Sequence, residues 1–225
     1  MGSRVLLFDL DGTLVDSAPD LAEALDFVLV EHGLKPIGLA QTRRMIGHGI
    51  PKLVEEGFSY RGRKLKSDLL AHSIDRFREH YSNNLSVKTR IYPGVIEGLT
   101  LLFNDGWSMS VCTNKLESYA RKILEDLGLI QFFKSVVGPD TFGISKPDPR
   151  QLLRTLPDRY DAAIVIGDSE VDVAAAKAAF LPIIAVSYGY CQVPVKLFSP
   201  DLVVSNFSEV PEAIKSIMSN FSKKL

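Results

Sequence analysis

Residues 5–17 decide the fold, and they read Val5-Leu6-Leu7-Phe8-Asp9-Leu10-Asp11-Gly12-Thr13-Leu14-Val15-Asp16-Ser17. The apolar run at the start predicts a buried strand, which ends at two aspartates one residue apart, Asp9 and Asp11. A buried carboxylate beside a second one costs free energy unless a cation or a proton offsets the charge. The pair therefore indicates chemistry at the end of this strand. The alternative is a strand that leads into an ordinary Asp-Gly turn.

The composition is that of a globular protein without a strong charge bias. Of the 225 residues, 46% are apolar and 24% charged, and the formal net charge is -1, which does not favour a nucleic-acid or membrane-surface partner. Two cysteines cannot build a disulfide framework, and Cys112 is expected to be a small core residue. No apolar run reaches the ~18 residues of a membrane helix, and residues 1–4 lack the apolar region of a signal peptide. We therefore expect a cytoplasmic protein with no membrane or nucleic-acid partner.

A block of helices follows the first strand. Apolar residues recur at helical spacing from Ala18, and Gly33 ends that helix. Three further helices are predicted, at residues 39–46, 50–56 and 67–81. No strand is expected between residues 17 and 86, which we call the helical block. The predicted division is thus a helical domain, 17–86, inserted into a core formed by 1–16 and 87–225.

Strands and helices alternate along the rest of the chain. The predicted strands are 107–112, 134–137, 162–166, 183–186 and 202–204. The predicted helices are 95–103, 118–127, 149–156, 171–179 and 210–218. Such alternation implies right-handed crossovers and a parallel sheet covered on both faces, so the predicted fold class is α/β with a Rossmann-like core. The tail Ser219–Leu225 is expected to fray.

Polar side chains collect where these strands end. Thr113-Asn114 follows one strand, Lys146-Pro147-Asp148 precedes a helix, and Gly167-Asp168-Ser169-Glu170-Val171-Asp172 follows another strand. Parallel sheets bind ligands at this edge, so these groups are expected to converge with the first aspartate pair. Carboxylates suit Mg²⁺, and one of them can attack phosphorus. Hydroxyl, amide and ammonium donors can neutralise a phosphoryl group in transfer.

Each short motif also has an ordinary structural explanation. Asn114 could cap a helix, and Lys146 could be a solvated lysine. Gly167-Asp168-Ser169 could form a turn, and Asp172 could interact with a helix dipole. The chemical interpretation depends on all of them meeting at one edge of the sheet.

The four motifs together resemble those of the haloacid dehalogenase superfamily, in its phosphatase branch with a helical cap. Residues 9–17 resemble the first motif, Thr113-Asn114 the second, Lys146-Pro147-Asp148 the third and residues 167–172 the fourth, in the family's order. The resemblance implies a Rossmann-like core with an inserted helical cap. The helical block corresponds to that cap, which in the family closes over the site and excludes water.

The resemblance also implies roles for the acidic residues. Asp9 would be the nucleophile and Asp11 the general acid and base. Mg²⁺ would be held by the Asp9 carboxylate, the Asp11 backbone carbonyl and Asp168, with Asp172 as an outer ligand or as the partner of Lys146. Dehalogenases of the superfamily lack an acidic residue at the position of Asp11, so its presence favours phosphoryl transfer.

The phosphoryl group itself would be held by Thr113, Asn114 and Lys146. The implied reaction is Mg²⁺-dependent hydrolysis of a small phosphorylated metabolite through an aspartyl phosphate.

Within the superfamily the chain is most similar to phosphoglycolate phosphatases. The similarity rests on Gly47-His48-Gly49, Thr113-Asn114-Lys115, Ser187-Tyr188-Gly189-Tyr190 and Pro200-Asp201-Leu202-Val203. It implies 2-phosphoglycolate as a candidate substrate, whose carboxylate would need a cationic partner. The candidates in the helical block include Arg43, Arg44 and His48.

Two other functions stay open at this point. A β-phosphoglucomutase-like enzyme would keep the same core and return the phosphoryl group to a sugar. A receiver-like signalling protein also uses a carboxylate cluster, Mg²⁺, a hydroxyl and a lysine, but it is much shorter and lacks a helical insert. The sequence does not distinguish a monomer from a homodimer.

Overall fold

The computed structural model describes residues 3–222, and for 220–222 it describes the backbone alone. Eight strands are present in this range: β1 (Ser3–Phe8), β2 (Val15–Asp16), β3 (Arg90–Ile91), β4 (Ser108–Cys112), β5 (Ser135–Val137), β6 (Tyr160–Gly167), β7 (Ile183–Val186) and β8 (Leu202–Val204). Ten α-helices accompany them: α1 (Ala18–Glu31), α2 (Leu39–Arg43), α3 (Ile50–Tyr60), α4 (Ser67–Ser82), α5 (Val95–Asn104), α6 (Glu117–Asp126), α7 (Pro139–Phe142), α8 (Pro149–Thr155), α9 (Glu170–Ala178) and α10 (Val210–Ser222).

Six strands form one parallel sheet in the order β5-β4-β1-β6-β7-β8. β1 lies between β4 and β6, with Leu6 opposite Met109 on one side and Ile164 on the other. Strand β1 is apolar and buried from Val5 to Phe8 because both faces of the sheet are covered there, as is usual for parallel sheets. Leu6 and Phe8 belong to the apolar cluster on one face, whereas Val5 and Leu7 belong to the cluster on the other.

The helical block contributes to the larger of these two clusters. Leu25 of α1, Phe58 of α3 and Phe77 of α4 are fully buried in the same continuous cluster as Phe8 of the central strand. The block therefore packs directly onto the side of the sheet that holds Phe8. Burial of large apolar side chains is the main favourable term for this packing.

A short antiparallel ladder lies at the base of the helical block. β2 and β3 flank residues 17–86, with Val15 opposite Ile91 and Asp16 opposite Arg90. Asp20 of α1 adds to this connection, because its buried carboxylate accepts hydrogen bonds from the backbone N–H groups of Lys88 and Thr89 and from the Thr89 hydroxyl. The two chain segments that enter and leave the helical block are thus tied together.

Most predicted elements agree with the structure to within a few residues, and residues 17–86 contain no strand. Helix α3 continues past the predicted end at residue 56 to Tyr60, because Gly57 and Phe58 are buried against the block. The prediction that the tail frays from Ser219 is wrong for residues 219–222, which continue α10. Burial of Ile214 and Ile217 anchors this helix. Residues 223–225 lie outside the described residues.

Candidate active site

The turn after β1 places the first two aspartates at the carboxyl edge of the sheet. The Asp9 N–H continues the ladder by donating to the carbonyl of Ile166 at 2.9 Å. The chain then turns tightly, with the N–H groups of Thr13, Leu14 and Val15 all directed to the carbonyl of Leu10. Gly12 has a φ of 89°, and a Cβ at this position would overlap the Asp168 carboxylate. Glycine is therefore required here both by the backbone conformation and by the close approach of Asp168.

Three carboxylates meet at this edge. The ligand atoms of Asp9, Asp168 and Asp172 lie within 4.8 Å of one another, and all three residues are buried. The cluster carries one close cation, since the Lys146 ammonium donates to Asp9 Oδ1 at 2.7 Å and to Asp172 Oδ1 at 2.6 Å. Three carboxylates against one ammonium leave an excess of negative charge in a buried place.

Burial, together with the neighbouring charges, shifts the pKa values of the cluster. Burial raises the pKa of Asp9 from 3.8 to about 6; Lys146 opposes this shift, and the charges of Asp172 and Asp11 add to it. Burial, and then the charges of Asp9 and Asp172, hold the pKa of Asp168 well above its usual range. Burial alone would lower the pKa of Lys146, but Asp172 and Asp9 outweigh it and raise that pKa.

The donor set fits a hard divalent cation. The ligands are carboxylate oxygens, which Mg²⁺ prefers, and three carboxylates beside one ammonium leave negative charge that a cation can compensate. Asp168 is held in place by hydrogen bonds from the Thr13 hydroxyl at 3.1 Å and from the Tyr190 N–H at 2.7 Å. Asp172 accepts from Ser169, so its second oxygen is also engaged.

The other predicted core residues lie at the same edge. The Thr113 N–H continues the sheet ladder to the carbonyl of Val137 at 3.0 Å, and Thr113 is buried. The Asn114 amide donates to the carbonyls of Gly47 and Lys146, both at 3.0 Å, and accepts from the Lys146 N–H at 2.9 Å. The side chain of Asn114 therefore joins three loops, one of which belongs to the helical block. This use of its amide differs from the predicted phosphoryl contact, which stays a prediction.

Asp11 lies beside this cluster and has partners of its own. Its Oδ1 accepts a hydrogen bond from the Ser17 hydroxyl, and its Oδ2 lies 3.0 Å from the Lys115 ammonium. Lys115 is almost completely buried, and it also donates to the Tyr81 hydroxyl at 2.8 Å. Burial alone would lower the pKa of Lys115, but Asp11 and Tyr81 outweigh it and raise that pKa.

A cavity of about 340 Å³ lies between this edge and the helical block. Asp9, Asp11, Thr113, Lys146 and Asp168 line one side of it. Arg44, Met45, His48, Leu53 and Arg78 from the helical block line the other. The polar side on the core and the mixed apolar and cationic side on the helical block suit a small anionic molecule.

The three candidate residues of the helical block lie in different places. Arg44 and His48 line the cavity, and His48 Nε2 lies 3.4 Å from Glu170 Oε1 of the core. Arg43 is not among the described residues that line the cavity; its guanidinium pairs with Asp16 at 2.6 Å and lies over the Tyr190 ring.

Several residues of the site escaped sequence reasoning. Gln151 is fully buried, accepts from the Lys146 N–H at 3.0 Å and donates to the carbonyl of Thr113 at 2.9 Å. It therefore joins the loop after β4 to the loop before α8. Arg78 lines the cavity, and its Nε is buried without a hydrogen-bond partner among the described residues. The roles of Lys115 and Arg78 depend on neighbours far away in sequence. Only the position of Lys115 directly after Thr113-Asn114 gave a sequence signal.

Comparison with known proteins places this site in a family. The family model described as haloacid dehalogenase-like hydrolase matches residues 6–186, which include all four motifs. The chain belongs to this family. The predicted family, the α/β fold class and the prediction of a hydrolase are confirmed.

Similar proteins extend the comparison over nearly the whole chain. Phosphoglycolate phosphatase of Mesorhizobium japonicum is 38% identical over 213 residues, which are 92% of each chain. Phosphoglycolate phosphatase of Rhodospirillum rubrum is 39% identical over 92% of this chain and 89% of its own. The crystal structure of a predicted phosphoglycolate phosphatase from Haemophilus somnus has a TM-score of 0.86 at 27% identity, covering 94% of this chain and 98% of that one.

Among residues 3–222, no helix has both the length and the apolar character needed to cross a bilayer.

Proposed function

We propose that the chain is a Mg²⁺-dependent phosphatase of a small phosphorylated metabolite, acting through an aspartyl phosphate on Asp9. The observation that carries the proposal is the buried cluster of Asp9, Asp168 and Asp172, with the Lys146 ammonium bound to Asp9 and Asp172, beside the cavity that Asp9 and Asp168 line. Bound Mg²⁺ would be held by Asp9 and Asp168 and would supply positive charge toward the phosphoryl oxygens. The helical block acts as the cap that excludes water from the cavity.

The first chemical step belongs to Asp9. Asp9 attacks as the ionised carboxylate, a form that the adjacent Lys146 ammonium favours. The Lys146 ammonium holds Asp9 Oδ1 and fixes the plane of the carboxylate for attack on phosphorus. We expect the Thr113 hydroxyl and the Lys146 ammonium, which line the same cavity as Asp9, to donate to the phosphoryl oxygens. The new Asp9–phosphorus bond forms as the bond to the leaving oxygen breaks.

Asp11 handles the protons in both steps. It gives a proton to the leaving alkoxide oxygen in the first step. In the second step it takes a proton from the water that attacks phosphorus, and the bond between phosphorus and Asp9 breaks. Asp11 lines the same cavity as Asp9, which supports this division of work.

The finer proposal is that the substrate is 2-phosphoglycolate. It is supported by the names of the similar proteins and by the arginines on the far wall of the cavity, Arg44 and Arg78. A screen of phosphorylated metabolites with Mg²⁺ tests it: release of inorganic phosphate from 2-phosphoglycolate above other esters is expected. An isomerised sugar phosphate without released phosphate would instead indicate a phosphomutase.

The proposal also includes a cytoplasmic location, a small-metabolite partner without nucleic acid, and a monomer or homodimer.

Arg78 is expected to select for a carboxylate-bearing substrate. Arg78 lines the cavity, its Nη1 lies 3.5 Å from Asp75 Oδ1, and its buried Nε has no partner among the described residues, so we expect an anionic group of the substrate to complete its contacts. Arg78→Met should raise KM for 2-phosphoglycolate about 30-fold, which corresponds to roughly 2 kcal/mol for a charge-assisted hydrogen bond. Ethyl phosphate lacks the carboxylate, and its kinetics should change little. Arg121→Met, on the exposed face of α6, is the matched control; a loss of equal size for both esters would contradict the assignment.

Mg²⁺ binding should weaken as the pH falls through about 6. The pKa of Asp9 is raised from 3.8 to about 6 in the folded protein, so the folded state keeps a proton that the unfolded state loses between these values. Stability of the metal-free protein therefore falls as the pH rises through this window. Mg²⁺ needs the ionised carboxylate, so the rise in Tm on adding Mg²⁺ should be larger at pH 7 than at pH 5. An equal rise at both pH values would show that Asp9 is not a ligand.

A further inference from the structure

The Lys115 ammonium lies between the core and the helical block. Its side chain is 4% exposed. It projects from the loop after β4 and lies 3.0 Å from Asp11 Oδ2 on the core side. On the other side it donates to the hydroxyl of Tyr81, in α4 of the helical block, at 2.8 Å. Its Nζ also lies 4.8 Å from the centroid of the Tyr81 ring. One buried cation thus contacts both Asp11 and a residue of the helical block.

Burial of this lysine is costly unless its charge is used. A buried ammonium needs a paired anion and further hydrogen bonds to offset the loss of hydration. The anion here is the Asp11 carboxylate, and the further acceptor is the Tyr81 hydroxyl. Lys115 thus has one polar partner in the core, Asp11, and one in the helical block, Tyr81.

Tyr81 gives Lys115 a rigid anchor. The Tyr81 side chain is fully buried, and its ring lies 5.8 Å from the rings of both Phe77 and Tyr119. Aromatic neighbours at this distance restrict the ring, so the hydroxyl has a fixed position. The hydrogen bond to Tyr81 therefore fixes the position of the Lys115 ammonium beside Asp11.

The two oxygens of Asp11 have different partners. Oδ2 faces Lys115, and Oδ1 accepts from the Ser17 hydroxyl. We propose that Lys115, anchored on Tyr81, is a positioning residue that holds Asp11 Oδ2, so that Oδ1 is directed to the leaving oxygen and then to the attacking water. The inference rests on the proposed function, because it assigns Asp11 the proton transfers. Before the first step Asp11 takes up a proton on Oδ1 from solvent, and in that step this proton passes to the leaving oxygen and leaves Asp11 as the carboxylate. In the second step Oδ1 receives a proton from water, which restores the protonated form.

The test compares two phosphate esters in single turnover with Lys115→Met. One is the alkyl phosphate that the wild type hydrolyses fastest in the metabolite screen, and its alkoxide must be protonated. The other is 2,4-dinitrophenyl phosphate, whose leaving group departs without a proton. The first-turnover rate should fall about 100-fold for the alkyl ester, the low end of a general-acid effect. It should change less than about threefold for the aryl ester.

Two further variants accompany this one. Tyr81→Phe removes the anchoring hydroxyl but keeps the ring, and it should lower the alkyl-ester rate by a smaller factor than Lys115→Met while sparing the aryl ester. Lys122→Met removes an exposed lysine of α6 that pairs with Asp126, and it should leave both rates unchanged. The aryl-ester rate also reports whether Lys115→Met is folded. Losses of equal size on both esters, or no loss on either, would overturn the positioning role.

Asp9→Asn in the same assay separates this inference from the proposed function. If Asp9→Asn turns over neither ester and Lys115→Met slows only the alkyl ester, the proposed function and the role of Lys115 both hold. If Asp9→Asn is inactive but Lys115→Met loses both esters equally, only the role of Lys115 is wrong. If Asp9→Asn hydrolyses both esters at the wild-type rate, the proposed function fails.

Discussion

Asp9→Asn is expected to lower kcat with Mg²⁺ and 2-phosphoglycolate by at least about 10⁴-fold, the size typical for loss of a covalent nucleophile. An amide nitrogen or oxygen cannot replace the carboxylate oxygen that attacks phosphorus. The change also removes one of the carboxylates near Asp168 and Asp172, so Mg²⁺ affinity should fall. Phosphate release and Mg²⁺-dependent Tm shifts measure the two effects.

The loss in Asp9→Asn should not come from unfolding. Asn has nearly the same shape, and removing a negative charge from a crowded cluster relieves repulsion, so the metal-free variant should have a Tm at or above that of the wild type. Asp161→Asn, at an exposed position of β6, makes the same chemical change away from the site and should leave kcat unchanged. Wild-type turnover by Asp9→Asn would refute the mechanism.

Lys146→Met should remove both activity and stability. The ammonium is the close cation of the cluster, with contacts of 2.7 and 2.6 Å to Asp9 and Asp172. Its loss leaves buried carboxylates without a compensating cation, which costs about 3–5 kcal/mol when one member of a buried ion pair is removed. We expect kcat to fall about 10³-fold, since a donor to the transferring phosphoryl group is lost as well. Urea unfolding and phosphate release measure the two losses.

The destabilisation by Lys146→Met should depend on pH in a defined direction. Without the ammonium, the pKa of Asp9 rises further in the folded state, so protonation at low pH relieves the repulsion. The stability difference from wild type should therefore be larger at pH 7 than at pH 5. Lys134→Met, which removes an exposed lysine beside β5, is the matched control and should show no such difference. A pH-independent difference would show that Lys146 does not compensate the cluster.

The sheet and its functional edge could be predicted because their signals are local. The apolar run before Asp9 indicates a strand whose side chains are buried on both faces of a sheet, and this run forms part of the central strand β1. The groups that follow β1, β4 and β6 meet because parallel strands end at one edge. These features depend on residues that are close together in sequence.

The rest could not be predicted because it depends on pairs far apart in sequence. The β2–β3 ladder joins residues 15–16 to 90–91, and two residues give no periodic pattern. Lys115 looks like an ordinary surface lysine until Tyr81 and Asp11 are placed on either side of it. Arg43 and Arg44 are adjacent and chemically identical, yet only the structure shows that Arg44 lines the cavity and that Arg43 pairs with Asp16.

The central claim is that Asp9 carries the phosphoryl group. The most direct test is acid quenching of the Asp11→Asn variant during turnover of 2,4-dinitrophenyl phosphate with Mg²⁺, followed by peptide mass mapping. The first step needs no acid with this ester, whereas hydrolysis of the intermediate lacks its base, so phosphoenzyme should accumulate. We predict one phosphoryl group on the peptide that contains Asp9. Phosphate on a different residue, or steady turnover without any phosphoenzyme, would contradict the account.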